Sequence, residues 1–322
     1  MKVLAHLAAA AAALLLSPGA CADDWPVKPV RVVLPTAAGS APDVIARLLG
    51  ERLGRLWKQP VIVENKPGAS GVIGISAFKQ APADQHGFLL AQAAVIAVTP
   101  RTLANPRFDV DADMTPIALV ALSPMMILAR QDFGANTLAE AFALARSGRQ
   151  PITVAATGQY SIPHLSAEYI RKAAGLDVNI VSFGSTGGAL NALVNGDAQL
   201  MVDGIPGVGA MRQSGRIKAL ATTASERLPG EPKLPTLAET LPGSPELSGW
   251  FVLFGRKNAS AEVVERVNRD VRQVLQDPRL AARFVELGVF PRALTPAETA
   301  RFVADERQRW GRVLDGLKIE AR

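Results

Sequence analysis

The sequence predicts an α/β protein of two lobes, each built around a mainly parallel sheet, with the C-terminal helices packed on the first lobe. Three observations indicate this fold class. Short β-branched runs alternate with helical runs, which is typical of parallel sheets. The length of 322 residues exceeds one ordinary domain of about 150 residues. From Ser260 onward the pattern is helical only.

The first segment predicts export. An apolar block at 8–16 follows a single positive charge and precedes the small residues Ala20, Cys21 and Ala22. The block is shorter than the roughly 20 residues that cross a bilayer, so it is typical of a cleaved signal peptide. We therefore expect cleavage after about Ala22, a mature chain that begins at Asp23, and a location in the periplasm.

Cys21 is the only cysteine, and the predicted cleavage removes it. The mature chain then has neither a disulfide nor a thiolate metal site, so its stability depends on burial of a core. The alternative is that Cys21 becomes a lipid-modified N-terminus. Pro18 argues against this alternative, because such signals carry a larger aliphatic residue at its position.

The charge pattern indicates no nucleic-acid partner. The chain has 35 basic and 29 acidic side chains, a net charge of +6. Basic residues are interspersed with acidic ones, as in 262–270, which is typical of solvated helix faces. A mild positive field of this kind favours the capture of anions.

Hydrophobic periodicity predicts strands and helices in alternation along most of the chain. The predicted strands lie at 30–34, 61–64, 88–91, 125–129, 152–156, 179–183, 200–203, 220–222 and 250–254. The predicted helices between them lie at 43–57, 138–147, 164–174 and 188–195. Each helix is about as long as a crossover between parallel strands requires.

The tail and the connections predict the domain organisation. An apolar stripe at 263–275 predicts one helix, and Thr295-Pro296 with Glu298 forms a capping box that opens another. The chain should pass between lobes at 123–124 and within the proline-rich stretch 228–245. We therefore expect a signal peptide at 1–22, a first lobe of 23–122 plus 250–322, and a second lobe of 123–249. Hinge residues should lie near 123–124 and 248–249.

Four loops rich in glycine and hydroxyl residues join a strand to a helix start. They lie at 35–43, 66–71, 157–161 and 184–188. A helix start presents unpaired N–H groups and the positive end of its dipole, and glycine allows a ligand to approach the backbone. The loops therefore favour an anion site between the lobes. The alternative is that they are ordinary helix caps.

Five segments then carry a family resemblance. They read WPVKPVR at 25–31, PTAAGSAPD at 35–43, ENKPGASGVIG at 64–74, VSFGSTGG at 181–188 and DGIP at 203–206. Together, in order and spacing, they resemble the tripartite tricarboxylate transporter receptor family, also called Bug or TctC-like. The resemblance covers nearly the whole mature chain.

The resemblance implies a type II-like periplasmic binding protein of the Venus-flytrap kind. Such a protein closes its lobes on a small organic carboxylate and delivers it to the membrane permease subunits of a tripartite transporter. Main-chain N–H groups and hydroxyls hold the carboxylate, with no metal, cofactor or catalysis, and we expect a monomer. The implied ligand-binding residues are Gly39, Ser40, Asp43, Ala69 and Ser70 in the first lobe and Thr157, Gly158, Ser161, Ser185, Thr186 and Asp203 in the second.

The sequence departs from the family pattern in three places. One is 183–186, where Phe-Gly-Ser-Thr replaces the usual Tyr-Lys-Gly-Ser without an insertion, so the small residues lie one position earlier. In the first loop, a threonine, an alanine, a serine and a proline replace the usual aromatic residue, proline, glycine and threonine. The run 93–97, where the family commonly has hydroxyl residues, is wholly apolar. We hypothesise a cleft that is drier than usual and favours a monocarboxylate with an apolar body over a tricarboxylate.

Other function classes compete with this interpretation. A secreted serine hydrolase would use Ser161 and His164, but the G-x-S-x-G elbow is absent and a base needs a third orienting group. A ligand-sensing receptor for a signalling partner would share the lobed fold. Metal capture is disfavoured, because His6, His86 and His164 lack the spacing of metal ligands.

Overall fold

The computed structural model describes residues 25–148 and 151–321. The predicted signal peptide and its cleavage site lie outside these residues. Within them the chain forms two separate sheets with helices on their faces. The predicted two-lobed α/β architecture is confirmed.

The first sheet contains β1 (Val30–Leu34), β2 (Val61–Asn65), β3 (Gly87–Gln92), β4 (Met114–Ser123), β10 (Gly249–Arg256) and β11 (Phe290–Pro291). Their order is β11-β4-β10-β3-β1-β2. β1 pairs in parallel with β2 and β3, whereas β10 runs antiparallel to β3 and β4. β2 is therefore an edge strand.

The second sheet contains β5 (Met125–Arg130), β6 (Thr153–Thr157), β7 (Asn179–Phe183), β8 (Leu200–Gly204) and β9 (Ile217–Thr222). Their order is β7-β6-β8-β5-β9. β6 pairs in parallel with β7 and β8, and β5 runs antiparallel to β8 and β9.

Both sheets are mixed, so the prediction of mainly parallel sheets is wrong in this respect. The cause is the route of the chain between the sheets. β4 leads out of the first sheet and β10 returns beside it, so the two strands pair antiparallel. β5 enters the second sheet in the direction opposite to its neighbours.

Two strands were not expected from the sequence. β4 contains Pro116, which ordinarily argues against a central strand. In the structure, Pro116 pairs with Phe254 where the register with β10 shifts, so the irregularity accommodates the proline. The prediction of helices only after Ser260 is wrong at β11, which pairs antiparallel with β4.

The predicted helices are confirmed to within two residues at their ends, and the structure adds shorter ones. The helices are α1 (Ala41–Trp57), α2 (Val72–Gln80), α3 (Thr99–Thr102), α4 (Val110–Asp113), α5 (Leu138–Ser147), α6 (Ile162–Ala173), α7 (Thr186–Asn195), α8 (Ile205–Gln213), α9 (Leu237–Thr240), α10 (Ala261–Leu275), α11 (Pro278–Glu286) and α12 (Pro296–Leu317), with a 3-10 turn at Ala69–Gly71 and a π-helical turn at Ala94–Val98. Across the described ranges, none of these helices has the length and apolar character needed to cross a bilayer.

The chain passes between the sheets at two adjacent places. β4 ends at Ser123, directly before β5, and Ser123 pairs with Gly249 at the start of β10. Thr223 connects both crossings, because its hydroxyl oxygen accepts a hydrogen bond from the Met125 N–H (2.9 Å) and its hydroxyl donates to the Leu247 carbonyl (3.2 Å). The lobe limits proposed from the sequence stay a prediction.

The C-terminal helices pack on the first lobe, and the last one also reaches the second. α10 packs against α1 and β4, while α12 packs against β4 and α6. Trp310 on α12 is fully buried in a cluster that joins Ile96 of the first lobe to Leu165 of the second. The lobes therefore share part of one core.

Candidate functional site

Two adjoining cavities lie between the lobes, at the carboxyl ends of strands from both sheets. The larger has a volume of about 380 Å³ and the smaller about 150 Å³. Gln92, Ala94 and Ser161 line both. The other lining residues are Pro35, Gly68, Ser70, Gly71, Val95, Val98, Thr99, Thr102, Leu103, Gln159 and Tyr160 in the larger cavity and Ala93, Ser123, Met125, Ile162, Pro163, Gly249, Trp250 and Phe251 in the smaller.

Charge is absent from the walls of both cavities. Among the residues that the structure describes, no Asp, Glu, Lys, Arg or His side chain lines either one. An anion in this cleft must therefore be held by neutral donors, that is, by main-chain N–H groups, hydroxyls or amides.

One wall of the cleft is a left-handed turn after β2. Gly68, Ala69, Ser70 and Gly71 have φ angles of 122°, 46°, 52° and 94°. A residue other than glycine in this region costs on the order of 1 kcal/mol and persists only where its surroundings fix it. The Thr99 hydroxyl fixes this turn by donating to the Ser70 carbonyl (3.0 Å).

Close packing also requires the last glycine of this turn. A Cβ at Gly71 would lie 2.7 Å from Cγ1 of Val95 in the π-helical turn. The two turns can thus lie against each other only with glycine at this position. π-helical turns within helices are frequent at functional sites.

Several N–H groups on the loops that form the cleft walls have no hydrogen-bond partner in the described part of the chain. Among them are those of Ala69 and Ser70 at the start of the 3-10 turn and of Ile162 at the start of α6. Helix starts leave such donors free by construction. The two starts stand on opposite lobes, which is the arrangement that the sequence predicts for an anion site.

The first loop folds around an internal carboxylate. Asp43 is 4% exposed; it accepts hydrogen bonds from the Gly39 N–H (2.9 Å) and the Asn65 amide (3.0 Å) and pairs with Arg47 (2.9 Å). Burial opposes ionisation, but these donors outweigh it and lower the pKa of Asp43. The Ser40 hydroxyl donates to the Ala37 carbonyl (2.6 Å). Gly39, Ser40 and Asp43 therefore maintain the loop and lie outside both cavities.

The loop after β6 forms the second wall. Gly158 has a φ of 68°, and its N–H donates to the Phe183 carbonyl (2.8 Å). Ser161 caps α6, since its hydroxyl oxygen accepts from the His164 N–H (3.3 Å) and its hydroxyl donates to the Thr157 carbonyl. Of these residues only Ser161 reaches the cavities.

A buried carboxylate lies behind this wall. Asp203 is 6% exposed and accepts hydrogen bonds from the Thr157 hydroxyl, the Gly204 N–H (2.7 Å) and Thr186. Burial raises the pKa of Asp203 in spite of these hydrogen bonds. The structure thus brings Thr157, Thr186 and Asp203 together, outside both cavities.

The fourth predicted loop does not reach the cleft. Ser185 caps α7, and its hydroxyl oxygen accepts from the Gly188 N–H (3.2 Å). Ser185 is exposed and lines neither cavity. Thr186 packs against α8, where a Cβ at Gly207 would lie 2.5 Å from its Cγ2.

The geometry gives no support to a Ser161–His164 hydrolase. The Ser161 hydroxyl donates to a main-chain carbonyl, and Nδ1 of His164 is buried without a hydrogen-bond partner among the described residues. Burial lowers the pKa of His164, although Glu168 opposes this. Among the described residues, no base is therefore placed to activate the serine.

Sequence reasoning found part of the cleft and missed part. Of the eleven predicted residues, Ser70 and Ser161 line the cavities, and Ala69 belongs to the turn that does. The missed polar lining residues are Gln92, Thr99, Thr102, Ser123, Gln159 and Tyr160. The position of Gln92 at the carboxyl end of β3 is a signal that would have found it. In the described ranges, no three His, Cys, Asp or Glu residues are grouped to hold a metal ion.

Comparisons with known proteins agree with this architecture. Residues 45–319 match the family described as "Tripartite tricarboxylate transporter family receptor". The protein BugT of Bordetella pertussis is 29% identical over 302 residues, which cover 93% of each chain.

Two solved structures are similar over nearly the whole chain. An R. palustris protein solved with adipate is 26% identical with a TM-score of 0.82, over 92% of this chain and 100% of that one. MatC from Rhodopseudomonas palustris, solved with bound malate, is 30% identical with a TM-score of 0.75, over 90% of this chain and 100% of that one. The chain therefore belongs to the tripartite tricarboxylate transporter receptor family of periplasmic substrate-binding proteins, which are not enzymes.

Proposed function

We propose that this protein captures a small organic carboxylate between its lobes and delivers it to the permease subunits of a tripartite tricarboxylate-type transporter. The observation that carries the proposal is the uncharged cleft with free N–H groups on both sides. Free main-chain donors in a site without competing charge suit a carboxylate, because hydrogen bonds to a charged acceptor are about twice as strong as neutral ones.

The ligand class follows from the volume and lining of the cleft. The larger cavity, about 380 Å³, falls within the range of about 300–1,000 Å³ that is usual for small-molecule sites. Ala94, Val95 and Val98 make one side apolar. Two relatives were solved with adipate and malate. We therefore propose a small carboxylate with an apolar body, and retain the preference for one carboxylate over three.

We further propose that binding works through closure. The lobes would be 23–122 plus 250–322 and 123–249, with the hinge at the two crossings near 123–124 and 248–249. A ligand that contacts both walls stabilises the closed arrangement by its preference for that arrangement. The permease would recognise the closed, monomeric receptor.

A ligand screen tests the function. Refolded, ligand-stripped protein is mixed with adipate, malate, citrate, isovalerate or benzoate, and thermal unfolding is followed. A true ligand at a hundred times its Kd adds about 2.7 kcal/mol of stability. The drier-cleft hypothesis expects isovalerate or benzoate to bind more tightly than citrate by calorimetry; the reverse order would contradict it.

A matched pair of variants tests the main-chain grip. Ile162→Pro removes one free N–H at the first position of α6, where proline is tolerated. Ile162→Ala truncates the same side chain and keeps the N–H. Loss of a hydrogen bond to a charged group is worth roughly 1.5–3 kcal/mol, so Ile162→Pro should bind about 10- to 100-fold more weakly than Ile162→Ala. Equal carboxylate affinities of the two variants would show that the Ile162 N–H does not contribute to binding.

Processing is tested separately. We propose cleavage after about Ala22 and no lipid, so the intact mass of the exported protein should correspond to a chain that begins at Asp23. A mass that retains Cys21 with added acyl groups would contradict this proposal.

A further inference from the structure

A further cavity between the lobes shares no lining residue with either cleft cavity. It lies between α6 and α12, has a volume of about 550 Å³, and is closed on a third side by the segment 243–245. Its apolar lining includes Tyr169, Val313 and Leu317, which also pack on the core shared by the lobes. The cavity therefore has an apolar floor that is continuous with the protein interior.

Three cations line the same cavity: Lys172, Arg309 and Arg312. Lys172 donates to the neutral carbonyl of Gly316, and Arg309 pairs with the buried Glu306. Arg312 is exposed and has no partner in the described part of the chain. Two of the three cations thus lack a carboxylate partner.

Carboxylates at neighbouring positions are engaged elsewhere. Glu168 pairs with Arg171 on α6, and Asp315 pairs with Arg101. Glu246 follows the wall segment 243–245 and adds a negative charge beside the cavity wall. The wall charge is positive on balance, which favours an anion.

We propose that this cavity is a second ligand site, which binds an amphipathic organic anion: one carboxylate or sulfonate on an apolar or aromatic body. The apolar body contacts Tyr169, Val313 and Leu317, and the anionic group lies at Arg312 and Lys172. The volume is that of a small-molecule site and is larger than that of either cleft cavity.

A ligand bound in this cavity should also change the affinity of the cleft for its carboxylate. α6 belongs to the second lobe and α12 packs on β4 of the first, so the shape of this cavity depends on how the lobes are arranged. A ligand that contacts both helices then favours one arrangement. This coupling rests on the proposed closure mechanism, whereas the site itself does not.

The test uses the fluorescent anion 1-anilinonaphthalene-8-sulfonate with the folded mature chain. The probe should bind saturably with one site per chain. Arg312→Glu should weaken its binding tenfold or more, because the charge that meets the sulfonate is reversed. Arg301→Glu is the matched control: it makes the same charge change on an exposed residue of α12 that does not line the cavity, and probe affinity should change less than twofold.

Two results would overturn the site. One is probe binding that Arg312→Glu and Arg301→Glu weaken equally. The other is probe binding that Ile162→Pro weakens, or that a cleft carboxylate displaces competitively, since the probe would then occupy the cleft. The carboxylate screen and the Ile162 pair do not depend on this probe, so failure here is distinguishable from failure of the proposed function. Unchanged carboxylate affinity in saturating probe would overturn the coupling alone.

Discussion

Each lobe buries one aspartate near a predicted ligand loop, and the two differ in their partners. Asp43 in the first lobe has a cation, Arg47, together with an amide and a main-chain N–H. Asp203 in the second lobe has two hydroxyls and one N–H, but no cation among the residues that the structure describes. Their pKa values accordingly move in opposite directions, down for Asp43 and up for Asp203.

The partners of the two aspartates determine what each residue can contribute near an anion site. Asp43 is held as an anion whose charge is already matched, so it stabilises the first loop. Asp203 has no matching charge among the described residues, so burial raises its pKa and makes its ionisation less favourable. Neither aspartate lines the cleft cavities, and no described cation lines them either. A ligand carboxylate there would therefore depend on main-chain donors.

We expect the largest change in unfolding free energy at Glu306, a buried acid whose pKa is raised although it has an arginine partner. Glu306 pairs with Arg309 and accepts from Nε1 of Trp250 (3.0 Å), yet it is only 3% exposed. Burial, opposed by Arg309 but reinforced by nearby Glu246, raises the pKa of Glu306 to about 7. Depth and a second carboxylate therefore outweigh the arginine.

The stability prediction follows from this raised pKa. The contribution of Glu306 is fully present below its ordinary pKa of 4.5 and is lost as pH rises through about 7. Glu306→Gln cannot ionise, so it should gain relative to wild type by on the order of 3 kcal/mol between pH 4.5 and pH 8. Urea unfolding at several pH values measures this gain. A difference that does not change with pH would contradict the raised pKa.

We expect the second largest change in unfolding free energy for Asp43→Asn. Asp43→Asn removes the pair with Arg47 and weakens the hydrogen bond from Gly39. Because the Arg47 side chain is half exposed and regains water, we expect a loss of about 2 kcal/mol at pH 7, less than for a fully buried pair. The lowered pKa requires this loss to shrink as pH falls below about 4, since protonation of Asp43 removes the same interactions in wild type.

The control for Asp43 lies on the same helix. Glu51 pairs with Arg55 at the same i,i+4 spacing, but both side chains are more than half exposed. Glu51→Gln should change the unfolding free energy by less than about 0.5 kcal/mol. Equal losses in the two variants would mean that burial of Asp43 does not matter.

The fold was more predictable from the sequence than the site. Thr295 and Glu298 make both hydrogen bonds of the predicted capping box, because that signal depends on neighbours along the chain. Strand direction was not predictable, since it depends on where the chain crosses between sheets.

The site escaped prediction for a related reason. Asp43 follows Gly39 by four residues, yet only the folded loop shows that it takes the Gly39 N–H away from any ligand. Thr157 and Asp203 are 46 positions apart, and the parallel pairing of β6 with β8 brings them together. The loop 66–71 was predicted from its glycine and hydroxyl residues, and three of its residues, Gly68, Ser70 and Gly71, do line the cleft.

We expect the smallest change in unfolding free energy for Asp203→Asn, and its sign should be opposite to that of Asp43→Asn. The raised pKa means that the stability contributed by Asp203 is present below its ordinary pKa of 3.8 and is lost as pH rises through the folded value. Asp203→Asn keeps an acceptor for the Gly204 N–H and a partner for the Thr157 hydroxyl. It should therefore be about neutral near pH 4 and more stable than wild type at pH 8, by up to roughly 1 kcal/mol.

The matched control is Asp197→Asn, an exposed aspartate of the same lobe, for which we expect a change within about 0.5 kcal/mol at every pH. Urea unfolding of both variants at pH 4, 6 and 8 gives the comparison. If Asp203→Asn were destabilising at pH 8 and recovered in acid, Asp203 would behave like Asp43. The second lobe would then hold a matched anion, and a cation that satisfies it would have to be found near the cleft.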